Sequence, residues 1–216
     1  MRIPDESHGG RETNEKCMNL LPMRGSKESD THIIYSEMNY KSDYIEFNIK
    51  SGDVLTVNRN DNLLTMNFPA YEPKIIDQNL DELSDIFGFR PTLFLNSNYG
   101  LAVFKNEEEI VKIEPNLNAL EKLSYNGIIV TAQGENVDFV SRFFGPKLGI
   151  PEDPVTGGAH CALIPYWSKR LNKKDMIAMQ LSKRGGVIYC SYLNDRVNMG
   201  GEAITYMQGK ILLDNI

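Results

Sequence analysis

The 216-residue chain has no unbroken apolar run near the ~20 residues that a membrane-spanning helix needs, so no membrane span is expected. Its opening, Met1-Arg-Ile-Pro-Asp-Glu-Ser-His-Gly-Gly10, lacks the apolar core of a secretory leader. Cysteine is scarce: Cys17, Cys161 and Cys190 make an odd count without metal-ligand spacing, and Cys161 falls in an apolar segment. That usage suits a reducing cytoplasm better than a disulfide scaffold. Positive charge is also short, 23 Lys and Arg against 29 Asp and Glu, for a net charge of −6. An acidic chain of this kind is a poor partner for nucleic acid or for an anionic membrane surface.

Apolar residues make up 41% of the chain, enough for a real core in one large or two small domains. The most telling stretch is Gly149-Ile-Pro-Glu-Asp-Pro-Val-Thr-Gly-Gly-Ala-His-Cys161. Two carboxylates (Glu152, Asp153), a proline and two adjacent glycines precede an apolar run from Ala159 to Leu171. A helix that is apolar on nearly every side belongs inside a domain, which predicts burial of Leu163 and Trp167. Pro165 removes one helical hydrogen bond and is expected to bend the helix. Gly157 and Gly158 would let a ligand approach bare backbone, and the unpaired amides of a first helical turn attract anions. Spacing alone is equally consistent with a loop and a helix capped by Asp153 or Thr156.

Elsewhere, residues 1–31 are polar and predicted to be mostly irregular, and residues 32–38 read as the tail of a helix. Residues 44–70 read as a three-stranded meander with turns at Ser51-Gly52 and Asn60-Asp61. A helix follows, capped by Asp77 or Asn79 and stopped by Gly88. Strands are predicted at 92–95, 101–104, 128–131 and 137–144, with short helical stretches at 107–113 and 116–123. A loop then covers 145–158, followed by the apolar helix. Strands at 176–181, 187–192 and 196–199 and a final hairpin over Gln208-Gly209 complete the chain. Many strands with few helices, one of them apolar throughout, suggest a sheet wrapped around a buried helix.

Glu152-Asp-Pro-Val-Thr-Gly-Gly-Ala-His-Cys161, continued by Leu163-Ile-Pro-Tyr-Trp167, resembles the signature of the phenazine-biosynthesis-like (PhzF-type) isomerase family. Asp53-Val-Leu-Thr-Val57 with Leu63-Leu-Thr-Met-Asn-Phe-Pro-Ala70 resembles the hairpin that closes the family's first half, and the similarity spans residues 31–214. The resemblance implies an α+β, diaminopimelate-epimerase-like fold of two pseudo-symmetric halves, each a sheet or barrel around a central helix. The chain itself shows no strong internal repeat. On this basis residues 32–72 and 196–216 are assigned to an incomplete first half. Residues 73–195, with central helix 158–171, form the second.

The resemblance also implies isomerisation of a small carboxylate-bearing substrate by proton transfer, with no metal and no organic cofactor. Asp153 matches the signature aspartate; Thr156, Gly157, Gly158 and Ala159 match the anion-holding turn, and His160 the residue after it. Gly158 stands where the phenazine enzyme has serine. The family's first-half Cys-Gly-His-x-Thr stretch and early acidic base have no match before His32, where the chain reads Arg24-Gly-Ser-Lys-Glu-Ser-Asp30. Two expectations follow: an isomerase whose missing base comes from residues 1–30 or a second chain, or a truncated relative without catalysis that acts as an anion-binding or interaction protein. Loss of an opening module is further expected to expose apolar surface and favour a homodimer or other self-association.

Overall fold

The structure is a computed structural model that describes residues 32, 34, 35, 41–48 and 54–203. The chain divides into two compact units, residues 1–66 with 200–216 and residues 67–199. The irregular reading of residues 1–31 and the final hairpin over Gln208-Gly209 lie outside the described residues.

In the first unit, β1 (Tyr44–Asn48), β2 (Val54–Asn60) and β3 (Leu63–Pro69) pair antiparallel in chain order, as the alternation predicts. Ile45 faces Val57, and Val57 faces Met66. Period-two alternation places Ile45, Phe47, Leu55, Val57, Leu64 and Met66 in the core, while Tyr44 and Val54 face outward. The β2–β3 turn puts Asp61 at φ 52°, a left-handed position that aspartate tolerates better than most residues. His32, Ile34 and Tyr35 are helical, with Ile34 and Tyr35 buried. The Arg59 guanidinium lies 5.0 Å from the Tyr35 ring centre.

The second unit is built on a mixed sheet. Its strands are β4 (Lys74–Ile75), β5 (Leu93–Asn96), β6 (Gly100–Val103), β7 (Ile128–Gln133), β8 (Phe139–Gly145), β9 (Ile150–Asp153), β10 (Asp175–Gln180), β11 (Gly186–Tyr192) and β12 (Arg196–Glu202). They run in the order β12-β11-β10-β8-β7-β6-β5-β4, with β9 paired to β8. The β6/β7 and β8/β10 pairs are parallel; β4/β5, β5/β6, β7/β8, β8/β9 and β10/β11 are antiparallel. Central strands such as Gly100–Val103 are buried on both faces and therefore read as continuous apolar runs.

Adjacent residues serve opposite faces. Leu95, Leu101, Val103, Ile129, Phe139 and Phe143 pack with helix α4 (Gly157–Leu171). Their neighbours Phe94, Ala102, Ile128, Val130, Val140 and Phe144 pack with α1 (Leu80–Phe87), α2 (Glu107–Lys112) and α3 (Leu117–Leu120). Of the two expected caps of helix α1 it is Asn79 that serves: its side chain accepts from the Asp81 and Glu82 amides, and Gly88 at φ 76° ends the helix as expected. Asn106 and Asn116 cap α2 and α3 in the same way.

Helix α4 is the buried element that the sequence predicts. Leu163 is fully buried and Trp167 is 1% exposed. The Trp167 indole stacks on Phe139 at 5.8 Å and 7°, and its Nε1–H donates to Thr131 Oγ1 at 2.9 Å, so the indole's one polar group is satisfied inside the core. The helix runs through Pro165. Proline has no N–H to give the carbonyl four residues earlier, which is that of Cys161. That carbonyl accepts instead from the Tyr71 N–H at 2.9 Å, tying the segment after β3 to the helix.

Among the differences from the sequence reading, two lie next to the start of the buried helix or its sheet. The strand expected from Val137 starts at Phe139, because Asp138 uses its carboxylate to accept from the Ile177 amide and the Lys173 ammonium. The segment read as a loop over 145–158 contains β9. That strand is short, starts at an exposed Ile150-Pro151 and pairs irregularly, so it shows no apolar alternation.

Candidate functional site

The start of α4 is assembled from three directions. Strand β9 delivers Glu152 and Asp153, a short turn leads into the helix, and β10 brings Gln180 from beneath. The two carboxylates have different surroundings. Glu152 forms a two-pronged ion pair with Arg142, Nε–Oε1 at 2.7 Å and Nη2–Oε2 at 3.1 Å. Arg142 Nη1 also donates to the carbonyls of Ile110 and Ile113 at 3.0 and 2.7 Å, at the end of α2. A guanidinium so fully engaged is a structural rivet, and Glu152 belongs to it.

Asp153 is held differently. Thr156 Oγ1 donates to its Oδ2 at 2.5 Å, and no described residue donates to Oδ1. Thr156 occupies the N-cap position, but its side chain makes no cap hydrogen bond: the hydroxyl donates to Asp153 and its oxygen accepts from Gln180 Nε2. The cap expected of Asp153 or Thr156 is therefore absent. The Ala159 N–H donates to the Thr156 carbonyl at 3.2 Å, whereas the N–H groups of Gly157 and Gly158 meet no acceptor among the described residues.

Gln180 fixes this geometry. Its Oε1 accepts from the Thr156 N–H at 2.7 Å, and its Nε2 donates to the Asp153 carbonyl at 2.7 Å and to Thr156 Oγ1 at 3.1 Å. It is 1% exposed. Sequence reading missed it, since one glutamine in a strand pattern is usually solvated; the only signal was a polar residue closing the apolar stretch Met176–Met179. Ser182 adds a second support, with Oγ donating to the Pro154 carbonyl at 2.7 Å.

His160 is fully buried rather than lining an open site. Its Nδ1 lies 2.9 Å from the Thr156 carbonyl, which can only accept, so the proton sits on Nδ1 and leaves the Nε2 lone pair without a partner. Burial lowers its pKa to about 4, so the imidazole is neutral near pH 7. The Cys161 thiol is likewise kept protonated, with burial raising its pKa to about 11. Arg196, held by Asn67 through Nε–Oδ1 at 2.6 Å, is near enough to Cys161 to oppose that shift.

A side chain begun at Gly157 would meet nothing within 4 Å, and one at Gly158 would first touch Tyr99 at 3.7 Å, an ordinary contact. The first turn is therefore open to a small ligand. At this turn Asp153 and Gly157 are partly exposed and Gly158 is exposed, whereas Thr156, Ala159 and His160 are buried.

The chain matches the family model described as phenazine biosynthesis-like protein over residues 29–209. It is 42% identical over 183 residues to an uncharacterized isomerase of Pseudomonas aeruginosa, covering 84% of this chain and 69% of that protein. It is 37% identical over 172 residues to another from Halalkalibacterium halodurans, covering 78% and 64%. The chain thus spans about two thirds of the length of these relatives. The crystal structure of a PhzF-family phenazine biosynthesis protein from Enterococcus faecalis superimposes with a TM-score of 0.83 at 37% identity, covering 87% of this chain and 72% of that one. With the family model covering most of the sequence and the fold shared at this level, the chain belongs to the phenazine biosynthesis-like (PhzF) isomerase family.

Proposed function

We propose that the start of α4 is one half of a cofactor-independent isomerase site acting on a small carboxylate-bearing metabolite. The observation that carries this reading is the uncapped first turn: Thr156 gives its hydroxyl proton to Asp153 Oδ2, and the Gly157 and Gly158 N–H groups and Asp153 Oδ1 meet no partner among the described residues. The Gly157 and Gly158 N–H groups would hold the substrate carboxylate, supported by the positive end of the helix. Asp153 would take a proton from the adjacent carbon through Oδ1 while Thr156 fixes Oδ2. The charge that develops spreads into the carboxylate oxygens already held by the amides. Isomerisation then needs a second group that returns a proton at another position or face.

The second reading is a carboxylate-binding protein without catalysis. It is favoured by the commitment of the neighbouring groups: Glu152 is tied to Arg142, and His160 is buried and neutral. Solvent-deuterium incorporation into small carboxylic acids, run beside Asp153→Asn, separates the two. Exchange that disappears in Asp153→Asn supports the isomerase. Carboxylate binding without exchange supports the second reading, and neither binding nor exchange refutes both.

A further inference from the structure

Tyr99 lies in the turn between β5 and β6, where the Ser97 amide and hydroxyl both donate to the Tyr99 carbonyl, at 3.1 and 3.3 Å. Its ring stands edge-on to Phe143 with centres 4.8 Å apart, so two elements fix its direction. The phenol oxygen and Cε2 each lie 3.7 Å from the point where a Gly158 side chain would begin. The hydroxyl thus stands over the uncapped turn. It is half-buried and makes no hydrogen bond to any described residue.

We infer that Tyr99 is the third donor of the carboxylate site, giving its hydroxyl proton to the ligand oxygen that lies over Gly158 while the Gly157 and Gly158 amides hold the carboxylate from the helix side. The inference rests on the carboxylate-binding reading of the turn and adds a residue that motif matching does not mark. Burial, followed by the nearby Cys161 and Asp153, pushes the phenol pKa up. The phenol therefore keeps its proton near neutral pH, and can donate to an anion instead of repelling it. The ring also walls one side of the opening, so a planar carboxylate fits there better than a bulky tetrahedral anion.

The test is an acetate titration of the full chain, followed by the ¹H–¹⁵N shifts of the Gly157 and Gly158 amides, for the wild type, Tyr99→Phe and Tyr99→Leu. A hydrogen bond to a charged ligand carries enough free energy that Tyr99→Phe, which keeps the ring and its packing on Phe143, is expected to weaken acetate about tenfold. Its urea midpoint should stay unchanged. Tyr99→Leu should weaken acetate at least as much. Acetate affinity within twofold of wild type in Tyr99→Phe overturns the role of Tyr99 and leaves the site standing. No acetate-dependent shift of either amide in the wild type overturns the carboxylate site itself, and the role of Tyr99 with it.

Discussion

Gln180→Met is the sharpest test of how the site is held. Methionine matches glutamine in length and nearly in volume, so the change removes hydrogen bonding with little change in packing. Three bonds are lost: Thr156 N–H to Oε1 at 2.7 Å, Nε2 to the Asp153 carbonyl at 2.7 Å, and Nε2 to Thr156 Oγ1 at 3.1 Å. At roughly 1 kcal/mol net per bond, and with the Thr156 amide left buried and unpaired, the loss should be about 3–4 kcal/mol. The assay is urea unfolding followed by the fluorescence of Trp167, the chain's single tryptophan, which sits in the core of the second unit. The same variant should lose acetate binding, because Gln180 positions both Asp153 and the Thr156 hydroxyl. A stability within about 0.5 kcal/mol of wild type, with acetate binding intact, would refute the view that Gln180 organises the turn.

Leu163→Ala, at a fully buried position in α4, should cost about 2–5 kcal/mol in the same unfolding assay, and a smaller loss would mean that the core collapses around the gap. Arg142→Met should cost about 2–4 kcal/mol by leaving Glu152 and the Ile110 and Ile113 carbonyls without their donor, and should raise hydrogen exchange at the end of α2. His160 sets a pH dependence: it protonates near 6.5 when unfolded but only near about 4 when folded, so the unfolded state gains protons first. Its contribution is therefore fully present above pH 6.5 and is lost as pH falls toward 4, on the order of 3 kcal/mol. His160→Gln should flatten the stability profile across that window.

The meander of Tyr44 to Pro69 and the burial of α4 were legible in the sequence because each depends on a local period, two in the strands and an all-apolar surface in the helix. Asn79 and Gly88 were legible for the same reason, since capping is chemistry between near neighbours. Strand β9 was not, because its existence depends on pairing with β8 and not on its own composition. Gln180 and Tyr99 were hidden for a related reason. They reach the 153–158 turn from 24 and more residues away, and nothing in their immediate surroundings distinguishes them from solvent-facing polar residues. The motif marked Asp153 and the glycines but could not show that Glu152 pairs with Arg142 or that the Thr156 hydroxyl abandons the cap.

The proline within α4 has a consequence for how the second unit comes together. A helix whose carbonyls all find partners within itself can form early and dock afterwards. This one cannot be completed alone, because the acceptor at Cys161 waits for the amide of Tyr71, a residue 90 positions earlier in the chain. An excised peptide of residues 157–171 should therefore be a poor helix in water, short and interrupted at its middle. In the intact chain the second turn of α4 and the exit of β3 are fastened by one bond, so they should open together. Their amides should exchange with a common free energy, making a cooperative unit out of segments that the sequence keeps far apart.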